Sequence, residues 1–464
     1  MKLSQLALLS CLTHEALSFS IQDQNPQIPL PVGTEDDEFA VSFLDSLYGE
    51  VVRSEQSLQH KKSLLKSRKI ALFTEEEETD HFKSHHLQSL SDSQLSYAHG
   101  HYMKMQSKVN LPSDDDTSDI LMDQGIFGGI LTYAHLPHFN CFDPQFIDDS
   151  DVHKIDIAIV GAPFDTGVSF RPGARFGPEA IRRSARRIGG AHVRTTKKRK
   201  NYPIDPYDET THNYSIVDCG DVAMSPFDNR IALNQLYRGQ RVIHRHKTNI
   251  NLVPKIITLG GDHTITLMAL KSVSEQIGKP VQIIHFDSHI DTWNPKVLGG
   301  GITNYMSLNH GTFLHYAHEQ GYIVDGGNYH VGIRAPYIDN VYDGQHDIEC
   351  GFNIISANDV DKLGVSGIIR KLKQAVKTNP VYISVDIDVL DPATAPGTGT
   401  MEIGGLTGRE LLSILDGLKG IELVGADVVE VSPPYDTNSE ITSLAATSVV
   451  DSLLKLMVVK GVEQ

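Results

Sequence analysis

Two aspartates and a histidine at alternate positions end the stretch 283–291, where Asp287, His289 and Asp291 follow a mostly apolar run. An extended segment places every second side chain on one face, so these three side chains are expected to point the same way. Two carboxylates and an imidazole on one face are a ligand set for a divalent transition metal such as manganese or zinc. Taken alone, the stretch is also compatible with a strand end that carries solvated acids and a chance histidine.

Two further apolar runs end in residues of the same types. His263 closes the sequence Gly-Gly-Asp-His after the run 256–259, and Asp386 and Asp388 follow the run 381–385. Six donors exceed the need of one catalytic metal and suit two ions about 3.5–4 Å apart that share carboxylates and a water. The six candidate metal ligands are His263, Asp287, His289, Asp291, Asp386 and Asp388.

The chain from residue 154 onward alternates between strand-like and helix-like segments. Strand-like runs lie near 155–160, 215–219, 255–259, 281–286, 328–333, 353–356, 381–386 and 422–430. Helical patterns lie between most of them, at 231–246, 264–277, 366–378 and 407–417. This alternation predicts an α/β fold whose mostly parallel, eight-stranded sheet is covered on both faces. Ligands bind beyond the carboxyl ends of strands in such sheets, which is where all six candidates lie.

Three motifs resemble the signatures of the ureohydrolases, the family of arginase, agmatinase and related amidinohydrolases. They are GGDHTIT at 260–266, HFDSHIDT at 285–292 and SVDIDVLDPATAPGTGT at 384–400. They occur in the family's order, and the resemblance extends from about residue 151 to the C-terminus. It implies the arginase-like three-layer α/β/α architecture, two Mn²⁺ per subunit and a homo-oligomer.

The resemblance also divides the six ligands between two ions. It assigns the first ion to His263, Asp287, Asp291 and Asp386, and the second to Asp287, His289, Asp386 and Asp388. Oxygen-rich sites favour manganese, and two cations that share a water lower its pKa enough to give hydroxide near neutral pH. Asp262, beside His263, is expected to orient that ligand rather than to bind metal.

Three residues are the candidates for the chemistry itself. The family places a guanidinium-binding glutamate at Glu430, and a carboxylate matches a guanidinium with two parallel hydrogen bonds. Asp291 is expected to relay a proton to the leaving amine, and His310 matches a family histidine that shuttles protons at the site mouth. A salt bridge at a strand end is the alternative for Glu430, and a solvated loop residue is the alternative for His310.

The substrate prediction depends on Trp293, the only tryptophan in the chain. Arginase-like sequences carry an asparagine at this position, where it helps to hold the substrate's α-carboxylate. The segments HIDTW and NHGTFLH resemble agmatinases, particularly the fungal type, so hydrolysis of agmatine to putrescine and urea is expected. Ser288 and Ile290 depart from the usual agmatinase residues, and Lys296 in the mouth loop would suit a carboxylate-bearing tail, so 4-guanidinobutyrate or another guanidino compound is the alternative.

Two hypotheses from other functional classes remain open. The chain would be a non-catalytic metal-binding scaffold if two bound manganese ions gave no hydrolase activity. Deacetylation on a related fold is the other reading, and the full dimetal ligand set and Glu430 weigh against it.

Length, charge and composition indicate how the rest of the chain is divided into domains. It has 464 residues and a net charge of −17, which argues against a nucleic-acid surface and fits a small cationic substrate. Residues 121–464 are expected to form the catalytic domain. Residues 21–120 differ, with acid runs at 75–78 and 114–116. They are expected to be an acidic, partly disordered or helical extension, with helices within 51–73 and 80–107 and a remainder that is a mobile extension or propeptide.

Residues 1–20 have the pattern of a signal peptide, which predicts a secreted or secretory-pathway protein. No apolar run is expected to span a membrane.

Removal of the predicted signal peptide leaves Cys141, Cys219 and Cys350. Because three cysteines cannot all pair within one chain, no disulfide framework is expected, and Cys219 is interpreted as a buried packing residue. Asn213 begins a glycosylation sequon beside a predicted strand, where burial is expected to hinder its use.

Overall fold

Eight strands form one sheet in which every neighbouring pair runs parallel. This computed structural model describes residues 129–143, 154–188, 205–207, 212–299 and 307–458. The strands are β1 (Ile157–Ala162), β2 (Ile216–Asp221), β3 (Lys255–Gly260), β4 (Gln282–Phe286), β5 (Asn328–Ile333), β6 (Phe352–Ser356), β7 (Pro380–Asp386) and β8 (Glu422–Val429). Their order across the sheet is β2-β1-β3-β8-β7-β4-β5-β6.

Helices cover both faces of this sheet. They are α1 (Gly177–Ser184), α2 (Asn229–Ile243), α3 (Thr266–Ile277), α4 (Phe313–Glu319), α5 (Tyr342–Glu349), α6 (Ala357–Val376), α7 (Gly408–Gly417) and α8 (Ile441–Val458). Helices α1, α6, α7 and α8 pack on one face, and α2 to α5 pack on the other. The central strands are therefore buried on both sides, which explains their nearly continuous apolar runs. The predicted three-layer α/β/α fold is confirmed, with a sheet that is wholly parallel.

Helix α6 is longer than the sequence pattern predicted. The predicted helix began at residue 366, whereas α6 begins at Ala357, where Asp359 accepts a hydrogen bond from the backbone nitrogen of Ser356. Gly364 interrupts the helix with a φ of 64°. A glycine in this left-handed conformation breaks the helical pattern, so the sequence indicated only the half that follows it.

Helix α8 has the length and hydropathy of a membrane span, with a mean hydropathy of 1.5 over 18 residues. The expectation that no apolar run is long enough is therefore wrong by these two measures. The helix packs against β3, β8 and two neighbouring helices, and 67% of it is buried. Burial on this scale is typical of a core helix, which passes the same test of length and composition.

The structure contradicts the prediction for the cysteines. Cys141 and Cys219 form a disulfide with Cα atoms 5.4 Å apart, and Cys350 is a buried free thiol. The odd count allowed one pair and one free residue, but no sequence pattern indicated which two cysteines would meet. The pairing arises because residues 137–139 run beside Asp218 of β2 in a parallel bridge.

Other predicted features have mixed outcomes. Residues 1–128, including the predicted signal peptide and the helices within 51–73 and 80–107, lie outside the described residues. Asn213 is exposed, so burial does not hinder its sequon. Arg175 pairs with the buried Asp165, and Arg171 lies over the Phe170 and Tyr435 rings.

Candidate active site

Four neighbouring strands end at the site. Strand β8 lies between β3 and β7, and β7 pairs with β4, so the residues that follow these strands meet at one edge of the sheet. Phe286 is in register with Val385, which places Asp287 beside Asp386. Glu430 follows β8 directly. The carboxyl ends of these strands therefore gather the candidate residues, as the doubly covered parallel sheet requires.

The first group of ligands surrounds Nδ1 of His263. This atom lies 3.1 Å from Asp287 Oδ2, 3.1 Å from Asp291 Oδ2 and 3.3 Å from Asp386 Oδ2. All four side chains are buried. They are the four residues that the resemblance assigned to the first ion.

The second group surrounds Nδ1 of His289. This atom lies 3.3 Å from Asp287 Oδ1 and 3.1 Å from Asp388 Oδ2. Asp287 thus presents one carboxylate oxygen to each group, which is the arrangement of a bridging ligand. Asp386 presents Oδ2 to the first group, and its Oδ1 accepts a hydrogen bond from the backbone nitrogen of Asp388 at 2.8 Å.

The donor set fits two metal ions. Within the described part of the chain, Nδ1 of His263, Oδ2 of Asp287 and Oδ2 of Asp388 are buried without a hydrogen-bond partner. Unpaired buried polar atoms are costly, and here each lies close to a ligand atom of its own group: His263 Nδ1 is 3.1 Å from Asp287 Oδ2, and Asp388 Oδ2 is 3.1 Å from His289 Nδ1. Two divalent cations would use these lone pairs and neutralise the carboxylates.

The crowding of acidic side chains at the site shifts their pKa values. Burial, and then repulsion from Asp388 and Asp287, raise the pKa of Asp386 well above its usual value. Burial and Asp287 raise the pKa of Asp291 to about 6. Burial disfavours the charged form of His263, but the nearby carboxylates of Asp287, Asp291 and Asp386 outweigh it and raise the His263 pKa well above the usual value. A cation bound here would replace that imidazole proton.

Ser384 determines which nitrogen of His263 faces the aspartates. The Ser384 hydroxyl donates to Asp427 Oδ1 over 2.6 Å, so its oxygen accepts from Nε2 of His263 at 2.7 Å. Asp427 also accepts from the hydroxyls of Thr266 and Tyr382, at 2.8 Å each. Nε2 therefore carries a proton, and Nδ1 is the nitrogen available to a cation.

Glu430 turns back toward the ligands after β8. Its φ is 60°, a left-handed conformation that is rare for glutamate, and its backbone nitrogen donates to Gly261 at 2.8 Å. Its Oε1 accepts from the backbone nitrogen of His263 at 2.9 Å. Asp291 is also left-handed, with φ 52°, and its carbonyl accepts from Leu314 at 3.1 Å. Strained backbone at two candidate residues is typical of a functional site.

His310 lies at the mouth of the site beside Glu430. Its Nδ1 is 3.3 Å from Glu430 Oε1, and its Nε2 is 3.1 Å from the Ser169 backbone nitrogen and 2.8 Å from the Ser169 hydroxyl. Burial disfavours the charged form of His310, but Glu430 outweighs it and raises the pKa. When His310 is neutral, its Nε2 can accept a hydrogen bond from the Ser169 backbone N–H. When His310 is protonated, Nε2 can donate one to the Ser169 hydroxyl oxygen, so Ser169 supplies a partner in both protonation states.

Asp262 orients the loops around the ligands. Its carboxylate accepts from the backbone nitrogens of Thr264 at 2.9 Å and Gly167 at 2.8 Å, and the Gly167 carbonyl accepts from His310 N at 3.2 Å. Burial, and then Glu430, raise the pKa of Asp262 to about 7. These contacts agree with a supporting role for this residue.

A buried polar row behind the ligands was missed in the sequence. His285 Nε2 lies 3.0 Å from Asp287 Oδ2, and its Nδ1 is 2.8 Å from Nδ1 of His330. His330 Nε2 in turn bonds Asp347 at 2.9 Å, and Asp347 accepts from the Thr292 hydroxyl at 2.6 Å. The available signal was the position of His285 two residues before Asp287, which puts both on one face of β4.

Trp293 is packed beside the second ligand group. It is buried, its ring centre lies 6.3 Å from that of His289, and its indole nitrogen donates to Asp343 Oδ2 at 3.0 Å. Lys296 is exposed. The loop from Trp293 to Asn309 is expected to line the mouth of the site. Residues 300–306 of this loop lie outside the described residues, so that role stays a prediction.

Comparison with known proteins identifies the family of this site. The sequence profile described as "Arginase family" matches residues 155–455, which include every candidate ligand. The chain belongs to the arginase family. It is a metal-dependent amidinohydrolase on a fold that binds a binuclear metal site, which argues against the scaffold reading.

Arginase-family relatives cover most of this chain. "Putative agmatinase 1" of Schizosaccharomyces pombe is 42% identical over 79% of this chain and 92% of its own length. The agmatinase of Chromobacterium violaceum is 37% identical over 72% and 93%. The solved structure of proclavaminate amidino hydrolase from Streptomyces clavuligerus is 34% identical, covers 72% of this chain and 98% of its own, and superposes with a TM-score of 0.60.

Proposed function

We propose that this protein hydrolyses agmatine to putrescine and urea at two manganese ions. The observation that carries the choice of substrate is Trp293, whose indole N–H is already bound to Asp343 and whose ring is buried beside His289. A side chain in this state offers no donor to an α-carboxylate. The position therefore favours a substrate without that group, and the similarity to agmatinases supports the same choice.

Glu430 is the proposed anchor for the guanidinium group. Its Oε1 is engaged by His263 N, and its Oε2 has no hydrogen-bond partner in the described part of the chain. A guanidinium that reaches Glu430 therefore gains a charge-assisted hydrogen bond at a carboxylate that is only 1% exposed. This contact would hold the electrophilic carbon close to both ligand groups.

Manganese is proposed because the donors are mainly hard carboxylate oxygens, four aspartates and two histidines. His263, Asp287, Asp291 and Asp386 would hold one ion, and Asp287, His289, Asp386 and Asp388 the other. When bound, such ions supply a shared water of lowered pKa and positive charge for the developing anion.

Two residues are placed to move protons. Asp291 presents its carboxylate to the first ligand group, where Oδ2 lies 3.1 Å from His263 Nδ1. His310 lies 3.3 Å from Glu430 Oε1. Its Nε2 can accept from the Ser169 backbone nitrogen when His310 is neutral and donate to the Ser169 hydroxyl when it is protonated. We propose that Asp291 delivers a proton to the leaving amine and that His310 exchanges it with solvent at the mouth.

The substrate test compares urea release from agmatine, arginine and 4-guanidinobutyrate by the manganese-loaded protein. Selective turnover of agmatine is the expected result. The exposed Lys296 is the feature that would favour 4-guanidinobutyrate. If the protein prefers 4-guanidinobutyrate to agmatine, this preference should disappear in Lys296→Ala. Urea from none of the three, with two equivalents of metal bound, would overturn the proposal.

We also propose that the protein enters the secretory pathway and forms a homo-oligomer. The Cys141–Cys219 disulfide and the exposed Asn213 sequon support the first proposal, because disulfides persist in oxidising compartments. Glycosidase treatment of protein from its native host should lower the mass of the parent and leave Asn213→Gln unchanged. Sedimentation of the purified protein tests the second proposal, and a monomer would refute it.

A further inference from the structure

Two histidines and a cysteine converge in the second helical layer, outside the two ligand groups. His315 lies on α4, His346 on α5, and Cys350 directly after α5. Nδ1 of His315 is 3.1 Å from Nε2 of His346, which is 3.7 Å from Sγ of Cys350. All three ligand atoms lie within 4.8 Å of one another. A tetrahedral zinc site with usual bond lengths spaces nitrogen ligands about 3.3 Å apart and nitrogen from sulfur about 3.6 Å.

The local structure supports these side chains as ligands. His346 and Cys350 are four residues apart, so they share one side of the helix end. Nε2 of His346 faces the His315 nitrogen and the Cys350 sulfur together, although a neutral imidazole nitrogen has only one lone pair. The other ring nitrogen of His346 lies 3.9 Å from Glu349 Oε2, on the side where metal-bound histidines commonly meet a carboxylate. Tyr342 stacks on the same ring at 5.5 Å.

The Cys350 thiol is withdrawn from solvent at the end of α5. Cys350 is 1% exposed, which makes it a poor candidate for a solvent-exposed redox thiol.

We propose that His315, His346 and Cys350 bind one zinc ion at a site separate from the dimetal centre. One thiolate and two imidazoles are a soft donor set that selects zinc over manganese, whereas the aspartate-rich centre prefers hard cations. Water or an exposed carboxylate would complete the four-coordinate shell. This proposal does not depend on which guanidino compound is hydrolysed.

The site would clamp two helices that hold the active-site loop. On α4, Leu314 N donates to the Asp291 carbonyl at 3.1 Å. On α5, Asp343 accepts from Trp293, and Asp347 accepts from the Thr292 hydroxyl. A metal that joins α4 to α5 therefore lies between two supports of residues 291–293. Zinc binding should stabilise that loop without contributing to the reacting groups.

Cobalt is the probe for the first test, because a cobalt–thiolate bond absorbs in the near ultraviolet and the dimetal centre contains no sulfur ligand. The protein is manganese-loaded, kept free of reductant to preserve the disulfide, and carries Cys11→Ser to remove the remaining thiol outside this cluster. One equivalent of cobalt should produce the thiolate band, and zinc should displace it. Cys350→Ser should lose the band, whereas His318→Ala, on the same helix as His315, should retain it.

A second measurement needs no change in the cluster. X-ray absorption of the same protein with one added equivalent of zinc should reveal a sulfur scatterer at about 2.3 Å together with nitrogen ligands. A thiolate band in Cys350→Ser, no band in the parent, or a zinc shell of nitrogen and oxygen alone would each overturn the proposal.

Discussion

Ser384 is expected to support metal binding through His263 rather than through contact with the ions. Its hydroxyl accepts a hydrogen bond from Nε2 of His263 and donates one to Asp427, which holds the imidazole in orientation. In Ser384→Ala the imidazole loses that partner, and the loss of such an outer hydrogen bond typically weakens metal binding by about 10–100-fold. Calorimetric titration of the apo protein with manganese measures the change.

Ser274→Ala is the matched control for this prediction. Ser274 is another buried serine, and its hydroxyl donates to the Lys271 carbonyl within helix α3. Manganese affinity should be unchanged in the control. Equal affinity in both variants and the parent would mean that Ser384 does not orient His263.

Glu430 is expected to act on the substrate and not on the metals. Removing its charge in Glu430→Gln should lower kcat/KM about 150-fold, equivalent to about 3 kcal/mol of transition-state stabilisation, because a buried ion pair with the guanidinium is lost. The bound manganese should stay at two equivalents. Glu422→Gln removes a charge at the exposed, opposite end of the same strand and should leave kcat/KM unchanged. A loss of manganese in Glu430→Gln would show instead that Glu430 supports the ligands.

Among the secondary-structure elements, the disulfide fixes a segment that covers one edge of the sheet. β2 is the outermost strand on its side, and residues 137–139 pair with Asp218 along it. The Cys141–Cys219 bond closes a loop of 78 residues and fixes that covering segment. An unpaired strand edge is a template for aggregation, so we expect the bond to limit aggregation as well as to stabilise the fold.

The double variant Cys141→Ser/Cys219→Ser should lose about 2–4 kcal/mol of unfolding free energy, since the unfolded chain is no longer constrained. Denaturant unfolding without reductant measures this loss, and adding reductant to the parent should bring it close to the variant. Cys11→Ser should behave like the parent. Coincident curves for the parent with and without reductant would contradict the assignment.

At the scale of the whole molecule, His244 links stability to pH. It is 3% exposed and its Nδ1 lies 2.9 Å from the Ser272 hydroxyl. Burial, and then Arg241, lower its pKa to about 3. Below the unfolded value of about 6.5 the unfolded chain takes up a proton that the folded chain refuses. Stability is therefore lost as pH falls from 6.5 toward 3.

This linkage predicts a loss of about 2 kcal/mol from His244 alone between pH 7 and pH 5. His244→Asn should show a smaller fall in unfolding free energy over this interval by that amount, whatever its stability at pH 7. His318→Gln, at a partly exposed position on α4, should keep the full fall of the parent. The same pH dependence in His244→Asn and the parent would exclude His244 as the source.

Much of the fold was predictable because its signals are local. Alternation of side chains along β4 places Asp287, His289 and Asp291 after a buried run, and the strands and most helices appear where periodicity predicted them. Helix α6 was predicted only in part, since Gly364 breaks the local pattern while packing on β5 and β6 keeps the helix together. The sequence also contained the motifs that identify the arginase family.

The sequence by itself determined the residue types at the strand ends and therefore the chemistry available to them. Only the tertiary structure decided which of these residues meet. The insertion of β8 between β3 and β7 brings Glu430 beside His263, and pairing of β4 with β5 puts His285 against His330. The Cys141–Cys219 pair arises in the same way. The physical reason is that periodicity reports the burial of each segment, whereas neighbours across a sheet depend on the pairing of distant strands, which no local pattern encodes.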